Sequence, residues 1–410
     1  MREIKEEESA LGDLTVIDLT DEKGAYCTKI MADMGAEVIK VEKPGGDDTR
    51  DLPPFMNNVP DREKSLSFWH YNTNKFGVTL NLETPKGQDI FKKLTQKADI
   101  IVESHPPGHL DKLGLGYQEL SQINPGLIMT SITPFGQTGP YRDYKASDLV
   151  GEAIGGFMAS HGYPDQPPII LYGEQGYQIV SNHAAIATLI ALYFRDMTGE
   201  GQFIDVSMQA AISASVEVFN LVYIYQNDVL KRQGTRHATF GPGEMGNLIP
   251  CKDGFICTFG SPGPYDWMAA DGVAGKLLDD PRWVDDVPFL REPENQAYLR
   301  ERQIEFAKLH DKEEIFIGCQ NMHVPWAKVN NFQDMFEDPQ LIDRGFFVEV
   351  EHPELETSFT YPGAPYKHSE TPWKLVRRAP LVGEHNVEIY TGKLGFSKEE
   401  LSELAQEGVI

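Results

Sequence analysis

One carboxylate in this chain stands between two glycines where an apolar run gives way to a helical pattern: Gly173-Glu174-Gln175-Gly176. The run before it, Ile169-Ile170-Leu171-Tyr172, is rich in β-branched and aromatic residues and reads as a strand or extended segment entering the core. After it, Ile179, Ala184, Ile186, Leu189, Ile190, Leu192, Tyr193 and Phe194 recur at helical spacing, and Thr198-Gly199-Glu200-Gly201 stops the helix. Flanking glycines let a reacting group approach the backbone, and a helix amino end turns unpaired N–H groups and a positive dipole toward an anion. Two readings fit the tetrapeptide alone: a surface turn with a helix-start glutamate, or a carboxylate held where chemistry can reach it.

At 410 residues with 40% hydrophobic content, the chain has room for two domains, or for one large domain with an insertion. It has no run of about 18 uncharged apolar residues. Its charged start, Met1-Arg2-Glu3-Ile4-Lys5-Glu6-Glu7-Glu8, does not read as a secretion signal, so a cytoplasmic protein is expected. Cys27, Cys251, Cys257 and Cys319 form no CxxC pair or His/Cys ligand cluster, which argues against structural disulfides and a metal site. With 62 acidic against 37 basic residues, the net charge of −25 repels nucleic acid and anionic membrane surfaces, and neither is expected as a partner. An anionic ligand must then be met by local cations, which makes the placement of each Lys and Arg informative.

Read in order, the pattern is strand and helix in alternation. Leu14–Leu19 reads as a buried strand, Tyr26–Met34 as a helix stopped by Gly35, and Ala36–Glu42 as a second strand. Strand patterns recur at Val78–Leu82, Asp99–Glu103 and Leu127–Ile132, with helices at Pro85–Ala98 and Tyr117–Ile123. Residues 1–200 thus read as a doubly wound α/β domain, in which ligands sit beyond the carboxyl ends of the strands. No GxGxxG follows the first strand, so a dinucleotide site is unsupported. A helix over Ala210–Gln226 leads to a Gly-rich stretch, and residues 225–330 read as a smaller α+β unit. Phe346–Val350 and Phe359–Tyr361 suggest a hairpin, and Asp338 caps a helix.

Several segments together resemble the family III CoA-transferases of the CaiB/BaiF type. They include Ala32-Asp33-Met34-Gly35-Ala36-Glu37-Val38, Asn72-Thr73-Asn74-Lys75 and Ala98-Asp99-Ile100-Ile101-Val102-Glu103-Ser104. They continue with Leu113-Gly114-Leu115-Gly116-Tyr117, Gly136-Gln137-Thr138-Gly139-Pro140, Thr198-Gly199-Glu200-Gly201-Gln202 and Arg378-Ala379-Pro380-Leu381-Val382-Gly383-Glu384-His385. The resemblance implies a Rossmann-like large domain plus a small α+β domain in an interlocked dimer. It divides the chain into 1–205 (large domain), 206–225 (linker helix), 226–330 (small domain) and 331–410 (linker and return to the large domain).

The resemblance also implies a reaction. CoA moves from an acyl-CoA donor such as succinyl-CoA to a carboxylic acid through covalent intermediates on one carboxylate, with no permanently bound cofactor. That carboxylate is usually Asp and aligns here with Glu174. Oxyanion donors would come from Gln175, Gly176 and the loop holding Gly241, Gly243 and Gly246. The CoA-binding positions map onto Lys43, Lys75, Ser104, His105 and Lys145. Glu in place of Asp, and Glu103-Ser104-His105 in place of the family's Glu-Asn-Phe, motivate an alternative: a weakly active or non-catalytic subunit of a heteromer, such as a benzylsuccinate transferase, whose paralogous partner carries the Asp. A racemase reading requires a His where this chain has Ser147.

Overall fold

The computed structural model describes residues 9–163, 165–216, 218–229, 232, 248–258 and 263–410. Its largest sheet is built from the Val/Ile-rich runs of the first half. In chain order come β1 (Thr15–Leu19), α1 (Ala25–Asp33), β2 (Glu37–Glu42), α2 (Leu66–Tyr71), β3 (Phe76–Thr79), α3 (Pro85–Thr95) and β4 (Ile100–Glu103). Then follow α4 (His109–Lys112), α5 (Tyr117–Ile123), β5 (Ile128–Thr133), α6 (Asp148–Gly155), α7 (Phe157–Ser160), α8 (Gln175–Thr198), β6 (Phe203–Ser207), α9 (Met208–Ser215) and α10 (Val218–Gln226). The six strands are all parallel, in the order β3-β2-β1-β4-β5-β6. That is the doubly wound order, whose direction reverses between β1 and β4, so the α/β expectation holds.

Strands β4 and β5 are buried throughout, as helix-covered parallel strands must be. Sequence signals fix the element ends. Thr84 caps α3 by accepting the Gly87 N–H at 3.0 Å, with Pro85 in the first helical position. Gly199, at φ 80°, closes α8.

The chain groups into two compact units. The first comprises residues 1–155, 172–215 and 342–410; the second comprises 156–171 and 216–341. Within the first, the carboxyl-terminal segment covers the outer edge of β3. Gly77 N–H donates to His385 Nδ1 (3.1 Å), Thr79 N–H to Asn386 Oδ1 (2.8 Å) and Tyr390 OH to the Thr79 carbonyl (2.8 Å). An open strand edge is thereby closed. The expected hairpin is present as Phe347–His352 paired antiparallel with Thr357–Pro362. The second unit has a three-stranded antiparallel sheet (Leu248–Pro250, Phe255–Cys257, Ala327–Lys328) and a core around Trp283, Leu299, Phe306 and Trp326.

Three local expectations are corrected. Ile169–Tyr172 forms no strand and lies largely exposed, its apolar side chains having no sheet neighbour among the described residues to bury them. The helix expected over Ala210–Gln226, and the single linker helix over 206–225, are two helices, α9 and α10. β6, which the sequence reading passed over, completes the sheet beside β5.

Candidate active site

Helix α8 carries Glu174 at its start and is clamped to the sheet by three polar side chains seven residues apart. Ser181 Oγ donates to the Lys23 carbonyl (2.9 Å), Thr188 Oγ1 pairs with Thr130 Oγ1 of β5 (2.6 Å), and Arg195 Nη1 reaches Asp99 Oδ1 (2.8 Å). A spacing of seven is two helical turns, so one face of α8 holds all three. The first clamp sets the amino end of α8 against the loop after β1, beside the crevice where doubly wound folds bind ligands.

Glu174 is the N-cap residue of α8 and has φ 55° and ψ 49°, a left-handed conformation costing of order 1 kcal/mol outside glycine. Gly173 before it has φ 88°. The chain therefore turns sharply twice and leaves the carboxylate exposed at the head of the helix. Glu174 titrates above the ordinary glutamate value, through partial desolvation and then through the charges of Asp148 and Glu22. On the other side, burial and the Glu174 charge push the Tyr71 hydroxyl up to about 12, so it stays a neutral hydrogen-bond donor at neutral pH.

The structure brings Glu174, Gln175 and Gly176 together, with one amide already engaged. Asp148, the first residue of α6, accepts the Tyr177 N–H at Oδ1 (2.9 Å), and the Gly176 N–H also bonds to its carboxylate. Gln175 Nε2 donates to the carbonyls of Tyr172 (3.1 Å) and Gly173 (3.3 Å). Gly241, Gly243 and Gly246 lie outside the described residues.

The cations divide. Lys43, on the loop after β2, is exposed and paired with Asp48 (2.6 Å), and Lys145 is exposed just before α6. Ser104 and His105 follow β4 at the switch point. Ser104 Oγ bonds Asp21 Oδ1 (2.7 Å) across the crevice, and burial lowers the His105 imidazole to about 4, leaving it neutral. Lys75 is different: it is fully buried, and Nζ bonds Asp18 Oδ2 (2.8 Å), Asn72 Oδ1 (2.9 Å) and the Ala25 carbonyl (3.0 Å). All three ammonium protons are used, and none is left for a phosphate.

Sequence reasoning missed Tyr71, Glu22 and Asp148 as neighbours of Glu174, and no local pattern marks them. It also missed Glu103, which ends β4. Burial raises its carboxyl to about 7, although Ser131 and the His105 N–H (2.7 Å) bond to it. Glu103 lines a cavity of about 190 Å³ with His109, Asp111, Tyr117, Gln137 and Phe203, small for a whole ligand site. Because its folded pKa lies above the unfolded one, its stabilising contribution is complete below about pH 4.5 and lost as pH rises through about 7. Glu103→Gln keeps the acceptor and removes the charge. It should leave the melting temperature unchanged near pH 4.5 and raise it at pH 8, a gain on the order of 2–3 kcal/mol checked by calorimetry at both pH values.

The chain belongs to CoA-transferase family III, which matches residues 11–386. Among its relatives, it is 34% identical over 404 residues to the succinyl-CoA:(R)-benzylsuccinate CoA-transferase subunit BbsE of Thauera aromatica, covering 96% of this chain and 97% of that one. It is 32% identical to a formyl-CoA:oxalate CoA-transferase of Streptomyces avermitilis, covering 98% and 99% of the two chains. A solved CaiB/BaiF family protein from Brucella suis superposes with a TM-score of 0.83 at 28% identity, over 94% of this chain and all of that one.

Proposed function

We propose that this chain moves CoA from a donor such as succinyl-CoA to a carboxylic acid, with Glu174 as the covalent carrier. What carries this reading is an exposed carboxylate in a left-handed turn at the head of a clamped helix, beside the switch-point crevice. The carboxylate attacks the donor thioester carbonyl, forming a mixed anhydride and releasing CoA thiolate. The thiolate attacks the glutamyl carbonyl, giving an enzyme thioester and freeing the donor acid. The acceptor carboxylate then attacks that thioester, and returning thiolate cleaves the second anhydride to leave acyl-CoA and free Glu174. Each step exchanges one acyl bond for another, so no oxidant, metal or net proton is required. To Gln175 N–H and the neutral Tyr71 hydroxyl we assign donation to the developing oxyanion. Lys43, Lys145, Ser104 and His105 remain the CoA contacts, with Lys75 withdrawn from that set by its burial.

BbsE is named as a subunit, and this chain has Glu174 where the family usually has Asp, so a heteromer with a paralogous subunit is the second reading. The absence of a His at Ser147 disfavours the racemase. Along α8, Ile186, Ile190, Tyr193 and Met197 form a stripe of side chains each more than half exposed, at a spacing that a partner subunit would cover. Sedimentation of the pure chain should give about twice 46.0 kDa for a homodimer; a monomer that associates only on adding the paralogue supports the heteromer. The deciding experiment is CoA exchange from succinyl-CoA to a panel of aliphatic and aromatic acids, with and without that paralogue. No exchange under either condition overturns the proposal.

A further inference from the structure

Three helices meet behind Glu174, and their packing is unusually close. A Cβ at Gly151 would collide with Met208 of α9, one at Gly155 would fall 2.5 Å from Ile212 Cγ2, and one at Gly176 would fall 2.8 Å from Asp148 Oδ1 and 3.0 Å from Ile212 Cδ1. Glycines one turn apart on α6 thus let it sit down onto α9, and this seating drives its first residue, Asp148, under the first turn of α8. Asp148 is 6% exposed. Its Oδ1 accepts the Tyr177 N–H, while its Oδ2 is buried with no hydrogen-bond partner among the described residues.

A bare buried carboxylate oxygen is costly, and a Ser hydroxyl would accept the Tyr177 N–H without it. The charge therefore has a consequence other than capping. We propose that Asp148 is a positioning residue for Glu174, fixing the turn that presents it and placing a like charge beside it. This rests on Glu174 being the carrier. A like charge makes the Glu174 carboxylate a stronger base, hence a better nucleophile toward a thioester carbonyl. The direction of the Glu174 titration agrees, with Asp148 the larger of its two charge influences. The other groups acting on this site are Glu22, and Asp21 with its partner Lys23, after β1; Tyr71 from α2; and Tyr177 on α8 itself. From α9 the facing residue is the apolar Ile212.

The test uses the full chain, with its paralogue where activity requires it. Water-soluble carbodiimide labels protonated carboxyls, so the pH dependence of labelling at Glu174, read by peptide mass spectrometry, reports its titration whether or not the chain turns over. In Asp148→Asn, which keeps an acceptor for Tyr177 and removes the charge, the labelling midpoint should fall by roughly 0.5–1 pH unit, and the acidic limb of kcat/KM should move with it. Asp148→Ala, which also frees the turn, should lose on the order of 100-fold in kcat, against less than 10-fold for Asp148→Asn. An unmoved midpoint in Asp148→Asn, or equal losses in the two variants, overturns the proposal. Should Asp148→Ala fail to fold, the Asn variant carries the test alone. Activity retained in Glu174→Gln overturns the carrier reading instead, and the labelling midpoints still report on Asp148.

Discussion

Glu174→Gln should abolish CoA exchange, with a loss on the order of 10⁴-fold or more in kcat, the scale set by removing a covalent nucleophile. Gln has nearly the same size and leaves the left-handed turn at 174 as it is, so the fold and CoA-ester affinity should survive while the carrier atom is gone. Quenching the wild-type chain with a CoA donor should give a CoA-sized adduct on the peptide carrying Glu174, absent from the variant. Because the carboxylate must be ionised to attack, and its pKa lies above the usual glutamate value, the acidic limb of the rate profile should fall above that value. Glu174→Asp draws the oxygen back by about 1.5 Å, and a site built around Glu should lose on the order of 100-fold. Activity that needs a paralogue and survives Glu174→Gln would place the chemistry on the other subunit.

How much of this was legible in the sequence depended on whether the cause was local. The parallel sheet was readable because helix-covered strands must be apolar on both faces, and Ile100-Ile101-Val102 and Val38-Ile39 are. The strand β6, Phe203-Ile204-Asp205-Val206-Ser207, is hard to read because it lies at the sheet edge, where two of its five residues are exposed, only Val206 is buried and the apolar run breaks up. The opposite error was made at Ile169–Tyr172, where apolar residues read as a core strand are in fact exposed. Composition reports that a surface wants covering, and what covers it is not encoded in the same four residues. At the site, Gly-Glu-x-Gly before a helical period leaves two readings open, and the family resemblance singles out Glu174. Asp148 was not findable, since its role depends on Gly151 and Gly155 admitting α9 and on a contact 29 residues along the chain.

Lys75 gives the second large effect, and it reverses the reading its motif invites. The family resemblance maps Lys75, in Asn72-Thr73-Asn74-Lys75, onto a CoA contact, but its ammonium is enclosed with Asp18, and both side chains are 0% exposed. Burying two charges is worthwhile only when each is fully bonded, and these are. Asp18 also accepts from the Thr20 N–H and hydroxyl and from Thr28 Oγ1. Although burial pushes the Asp18 carboxyl upward, Lys75 and Lys40 hold it down to about 2. Lys75→Met therefore strands a carboxylate in the core and should cost about 3–5 kcal/mol, read as a lowered urea midpoint with unchanged slope. Adding Asp18→Asn should restore much of that loss, because the orphaned charge goes with it, and this non-additivity marks a pair as distinct from two separate contacts. Affinity for a CoA ester in the folded fraction should change little. A phosphate contact predicts the reverse pattern, intact stability with weakened, salt-dependent binding, and finding that pattern would return Lys75 to the ligand. Lys75 thus holds β1 and the residues before β3 together, whereas Lys43 and Lys145 are exposed.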